Sequence, residues 1–206
     1  MEKTKERKPA PRRAVATDAW QADGAKKAPV VDLKTYRLRI FGKVDREVSL
    51  SLEQLAAMPA VTKKLDMSCA TRLSRPEDEW TGIPMNMLLA MAAPRGDFLM
   101  LWSRCSNYSA SVPLEKVDDD CMVAFAWNGE PLGPKHGGPV RAIMPGHYAW
   151  KNTLWLDGIE VMDKDRPGSW ETGGSAPRVG LRKGEGVTEG GRALAEKPLP
   201  KRRGVR

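Results

Sequence analysis

Apolar and polar positions alternate in short runs through the middle of the chain. Tyr36-Arg37-Leu38-Arg39-Ile40-Phe41-Gly42 changes side at nearly every step and then meets a glycine, which predicts a half-buried strand. Val48-Ser49-Leu50 predicts a second, shorter one. Ser51 followed three residues later by Gln54 has the spacing of a capping box, so a short helix is expected to run to Met58 and stop at Pro59. Residues 61–67 read as a strand leading into Cys69. Residues 84–93 read as a helix, with Pro84 near its first turn and Met87, Leu88 and Met91 on one face. Residues 98–102 form a buried-strand pattern, 108–114 alternate, and the apolar run 121–127 ends in Asn128-Gly129, a hairpin signal. Residues 140–144 and 153–159 complete the set of strand candidates. Many short strands, frequent glycine and proline, and two or three short helices predict an α+β domain dominated by β structure. No internal repeat is visible.

Composition narrows the class. The chain has 206 residues, 41% hydrophobic and 29% charged, enough for one packed domain with tails. Its longest apolar stretches, 87–93 and 122–127, fall far short of the ~18 residues that argue for a membrane span. The first twenty residues are basic but lack the apolar region of a secretory signal, and Arg12-Arg13 lacks the context of a twin-arginine export signal, so a cytoplasmic location is expected.

The net charge of +8 resides in the ends. Residues 1–35 hold nine Lys/Arg against five Asp/Glu, and residues 175–206 hold nine against three. The segment between them holds sixteen against eighteen. Both ends are poor in aromatics and rich in Pro, Gly and Ala, a composition that buries too little apolar surface to offset the entropy of ordering. The expected organisation is a disordered N-terminal tail over 1–35, one domain over 36–174 and a disordered basic tail over 175–206. A slightly acidic domain without a nucleic-acid-binding motif argues against nucleic acid as the partner, beyond weak, salt-sensitive contact through the tails. Cys69, Cys105 and Cys121 are odd in number, widely spaced and without a CxxC pair, so they form neither a disulfide framework nor a zinc ribbon. By themselves they read as small buried hydrophobes.

Three segments carry the candidate chemistry. The first is Asp66-Met67-Ser68-Cys69-Ala70-Thr71-Arg72-Leu73-Ser74, followed by Trp80-Thr81-Gly82-Ile83-Pro84. The second joins Asn128-Gly129-Glu130-Pro131-Leu132 to His136-Gly137-Gly138-Pro139-Val140-Arg141. The third is Pro145-Gly146-His147-Tyr148-Ala149-Trp150-Lys151. Taken singly, Arg141 reads as a surface charge between apolar stretches, Lys151 as a solvated loop lysine and His136 as a turn histidine. Taken together, in this order and spacing, the segments resemble the molybdopterin-binding domain of the sulfite-oxidase family of oxidoreductases, and most of all its compact, stand-alone bacterial members. The resemblance covers residues 36–163.

That resemblance implies a β-rich sulfite-oxidase-like fold and a molybdenum-molybdopterin cofactor. It implies that Cys69 supplies the thiolate to the metal, a soft ligand suited to an ion already bound to sulfur. Thr71, His136, Arg141, His147 and Lys151 fall at or beside positions expected to contact the cofactor, with Gly137 and Gly138 expected to permit close backbone approach. Ser74 is a further hydrogen-bond candidate. Arg72, or less directly Arg104, is placed to attract an oxyanion, so Cys69 and Arg72 are the expected catalytic residues. Cys105 and Cys121 match no ligand position and are expected to pack in the core. Trp102, Trp127 and Trp155 are expected in the core, Trp80 at the site floor, and Trp150 and Trp170 near substrate access or partly buried.

The implied activity is oxygen-atom transfer to or from a small oxyanion or sulfoxide-type substrate, with electrons exchanged with a separate carrier. The chain departs from the family in two respects. Residues 166–174 contain no tyrosine where sulfite-oxidising members carry one, and Leu73 follows Thr71-Arg72 where close relatives commonly carry tryptophan. The alternative is therefore a non-catalytic cofactor-binding or carrier module of the same fold.

Overall fold

The computed structural model describes residues 28–68, 74–147, 149–169 and 171–172. In chain order the elements are β1 (Leu38–Gly42), β2 (Val48–Leu50), α1 (Leu52–Ala56), β3 (Val61–Ser68), β4 (Ser74–Pro84) and α2 (Met85–Ala92). They continue with β5 (Phe98–Ser103), β6 (Tyr108–Pro113), β7 (Met122–Trp127), β8 (Glu130–Pro131), β9 (Arg141–Ile143) and β10 (Gly158–Met162). The first sheet has the order β2-β1-β10-β5-β6, with β1 parallel to β10 and the neighbours β1/β2, β10/β5 and β5/β6 antiparallel. The second has the order β3-β4-β7-β8, with β9 also pairing β7, and is antiparallel throughout. This is the β-rich α+β architecture that the sequence pattern predicts. Among the described residues no helix is long and apolar enough to cross a membrane.

Both faces of the second sheet are covered. The main core gathers Leu38, Ile40, Leu99, Leu101, Ile159 and Val161 from the first sheet, the buried side of α2, and Val123 and Ala142 from the second. Met122, Ala124 and Ile143 point the other way and join Leu65, Met67, Trp80 and Leu132 in a second cluster. A strand buried on both faces needs no polar alternation, which explains the unbroken apolar run in β7.

Local signals account for much of this. The capping box is formed: Gln54 N–H donates to Ser51 Oγ at 3.2 Å and Ser51 N–H to Gln54 Oε1 at 2.9 Å. Asn128 and Gly129 both have positive φ, as a two-residue hairpin turn requires, and β8 follows directly. The buried stripe of α2 is Met85, Leu88, Leu89 and Ala92, whereas Met87 is exposed. Of the expected face, Leu88 is buried and Met91 packs partly against the core, while Met87 departs because the helix is almost uniformly apolar. Pro84 as N-cap sets the phase instead, with Met85 N–H bonded to Cys121 O at 2.9 Å.

Two strands differ from expectation. β10 begins at Gly158 rather than near Thr153, because residues 153–157 spend their backbone bonds elsewhere. Trp155 N–H reaches Gly137 O at 2.9 Å and Leu156 N–H reaches Val140 O at 3.0 Å. The eleven-residue β4 carried no strand signal in its charged first half. That half pairs only with β3, through a register shift between Leu65 and Met67, and Pro76 lies opposite the shift, where no ladder N–H is demanded.

Candidate functional site

β9 places Arg141 beside Ala124 on the outer face of the second sheet. Arg141 is 5% exposed, and its guanidinium is gripped in two ways. Nη1 donates to His136 O at 3.1 Å and Nη2 to Asn152 O at 3.4 Å. The guanidinium carbon also lies 5.1 Å from the centre of the Trp80 ring. Trp80 in turn stacks on Trp127 at 6.1 Å, and Trp127 meets the His136 ring at 4.8 Å. The expected surface charge is thus a buried fork, fixed by two carbonyls and the end of an aromatic stack. Met67, two residues before Cys69, packs in the same outer cluster as Trp80.

The turn carrying His136 is locked against the segment 153–156. Trp155 donates Nε1–H to Pro134 O at 2.8 Å and its backbone N–H to Gly137 O. The two glycines serve this packing. A Cβ on Gly138 would meet Leu132 O at 1.9 Å, and one on Gly137, which has a φ of +89°, would meet the Leu154 side chain at 2.4 Å. Their missing side chains let the turn approach its own chain closely.

His147 lies just before a short 3₁₀ turn, Ala149–Lys151, which Lys151 ends. His147 is 6% exposed; its Nδ1 lies 3.4 Å from Pro145 O and its Nε2 has no partner among the described residues. Burial pushes this imidazole below the usual histidine range, partly opposed by the Pro145 carbonyl and reinforced by the charge of Lys151. The buried Trp80 Nε1 and Thr153 Oγ1 likewise have no partner among the described residues. Buried polar atoms of this kind require a hydrogen-bonding partner.

Lys151 is not a solvated loop lysine. Its side chain is 2% exposed, and Nζ donates to Ser111 O and, at 2.5 Å, to Glu171 Oε1. The Glu171 side chain is 3% exposed and accepts Gly168 N–H on Oε2 at 2.7 Å. Glu171, Ser111 and Asn152 were absent from the sequence-derived set. Glu171 sits in a segment rich in Gly, Pro and Ser that offers no periodic signal, and only the fold brings it to Lys151.

The structure thus brings Arg141 and His136 together, with Asn152 linking Arg141 to the Lys151 turn. Cys69, Thr71 and Arg72 lie outside the described residues, as do Tyr148 and Trp170 and, apart from 28–35, both expected tails. Ser68 pairs with Ser74, so the residues on either side of 69–73 are one strand spacing apart. Cys121 is fully buried, as expected, with Sγ–H donating to Asp118 Oδ1 at 3.3 Å, and burial pushes its thiol up to about 12. Cys105 is exposed, because it falls in a 3₁₀ turn between β5 and β6 rather than in the core. Trp155 and Trp150 are buried, while Trp102 and Trp127 are half-buried.

Comparison with known proteins gives a consistent result. Residues 25–170 match the family described as "Oxidoreductase molybdopterin binding domain". The chain is 32% identical to the uncharacterized oxidoreductase YuiH of Bacillus subtilis (strain 168), covering 69% of this chain and 73% of that protein. It is 25% identical to mitochondrial sulfite oxidase of Mus musculus over 69% of this chain, but spans only 32% of that enzyme. Among solved structures it resembles the sulfane dehydrogenase SoxCD from Paracoccus pantotrophus, with a TM-score of 0.61 and 29% identity, covering 69% of this chain and 41% of that one.

Proposed function

The chain belongs to the oxidoreductase molybdopterin-binding family, and from that premise we propose that it is a molybdenum-molybdopterin-dependent oxidoreductase acting on a small oxyanion or sulfoxide-type substrate. Cys69 supplies the thiolate to molybdenum, and Arg72 attracts the anionic substrate. Thr71, His136, Arg141, His147 and the Lys151 turn contact the pterin and its phosphate. When bound, the group supplies two-electron oxygen-atom-transfer chemistry. The protein's own share is to hold the anionic end, orient it and keep water away. Electrons pass to a separate carrier, and the protein works in the cytoplasm.

One observation carries the reading. Arg141 is a guanidinium buried on the outer sheet face by carbonyls and an indole, in a cluster that also holds Met67, two residues from Cys69. The residues present suit the group: an Arg fork matches phosphate, and Trp80 Nε1, His147 Nε2 and Thr153 Oγ1 are buried polar atoms with capacity to spare. The lack of a tyrosine in 166–174 favours a second reading, a cofactor-binding module without turnover.

Protein made in a molybdopterin-competent host tests both. We expect one molybdenum and one pterin per chain, and a Cys69→Ser variant that keeps the pterin but loses the metal. Turnover with sulfite, a sulfoxide or a nitrogen oxide and an artificial electron carrier decides for the enzyme. Absence of pterin from the purified wild type overturns both readings.

A further inference from the structure

The C-terminal end of the described chain is fastened across β6 at several points. Ser169 N–H donates to Ser109 O at 2.9 Å, and Ser109 N–H returns to Ser169 Oγ at 2.8 Å. Ser111 Oγ donates to Asp165 Oδ1. A Cβ on Gly168 would meet Ser109 O at 2.6 Å, so the strap lies directly against the strand. Lys151 closes the arrangement from the other side, reaching both Ser111 O and Glu171. A buried ammonium with a carboxylate at 2.5 Å already has its counter-ion, and a second anion would have to share it. The next residue, Asn152, offers its carbonyl to Arg141 Nη2 and its side-chain oxygen to Met144 N–H.

We propose that Lys151 and Glu171 are a lock that fastens the strap of residues 165–169 and 171–172 to β6 and, through Asn152, fixes the Arg141 fork. Glu171 is then a positioning residue for the anion site, and the Lys151 ammonium is a fastener rather than the grip on phosphate. The proposal deepens the cofactor reading and rests on it for its second readout. Lysine suits this task because its point charge needs one carboxylate and one carbonyl, whereas the planar fork of Arg141 suits a phosphate.

The test uses the full chain in wild-type form and as Lys151→Met and Glu171→Gln. Hydrogen exchange is followed at the Ser169 and Thr172 amides, together with the rate of pterin release from loaded protein. Loss of either partner removes the same lock. Both variants should therefore speed strap exchange by at least about tenfold, and to a similar degree. They should also accelerate pterin release alike, since Arg141 loses its support equally. Release that accelerates in Lys151→Met but not in Glu171→Gln makes the ammonium a direct grip and overturns the proposal. Unchanged strap exchange in both variants also overturns it.

Ser169→Ala carries the test if the buried-pair variants do not fold, because it loosens the strap without touching either charge. It should speed strap exchange and pterin release in step; faster exchange with unaltered release overturns the proposal. Ile40→Ala, in β1 and remote from the strap, controls for lowered stability alone and should leave release unchanged. A wild type without pterin removes the cofactor reading, while the exchange measurements still decide whether the lock exists.

Discussion

Arg141 and Lys151 lie ten residues apart in sequence, and the fold buries both, but by different means. Arg141 is held by neutral groups: His136 and Asn152 supply carbonyls and Trp80, far earlier in the chain, supplies a ring face. Lys151 is held by a carboxylate twenty residues further on, beyond the last strand of the sheet. The first arrangement spreads a guanidinium charge over neutral dipoles. The second cancels an ammonium charge with a distant part of the chain. A site that must accept an anion can use the first kind of cation directly, while the second is suited to tie segments together.

Stability measurements sharpen this contrast. The largest effect is expected for Lys151→Met, which leaves the buried Glu171 carboxylate without its counter-ion and should cost about 3–5 kcal/mol in denaturant unfolding. Adding Glu171→Gln to it should restore much of the loss, because the orphaned charge is removed. Arg141→Lys comes next. The ammonium cannot reproduce the planar fork, so loss of its carbonyl bonds should cost about 1–3 kcal/mol. Equal losses in the two single variants would erase the distinction.

The smallest effect concerns His147, between the two cations in sequence. Burial lowers its affinity for a proton in the folded state. Below the ordinary value of about 6.5 the unfolded chain takes up the proton first. Stability should therefore be full above that pH and decline on acidification, by no more than about 1.4 kcal/mol per pH unit, until the folded imidazole also titrates. His147→Phe should flatten this slope in unfolding curves taken between pH 7.5 and 5. An unchanged slope would assign the decline to other groups.

Legibility followed the range of each interaction. The capping box at Ser51 and Gln54, the Asn128-Gly129 turn and the alternating β1 are set by neighbours in sequence, and these elements formed as read. The face of α2 was not readable, because an almost wholly apolar helix takes its orientation from what packs on it. The first half of β4 was hidden by its charges, since its ladder depends on β3 alone. Within the candidate site, the fold brings His136 to Arg141 and links Arg141 through Asn152 to the turn that carries Lys151. Glu171 was not readable, because a carboxylate in a Gly- and Pro-rich stretch has no signature until Lys151 is brought to it.

The middle position in the first sheet belongs to β10, the last of the described strands in sequence, flanked by β1 on one side and β5 on the other. Until Gly158–Met162 has left the ribosome, no other described strand joins the two halves of that sheet. Closure of this half of the molecule is therefore a late, long-range event, slower than the local hairpins that precede it. A nascent chain stopped before this strand would expose the edges of β1 and β5 and would be at risk of aggregation rather than half-functional.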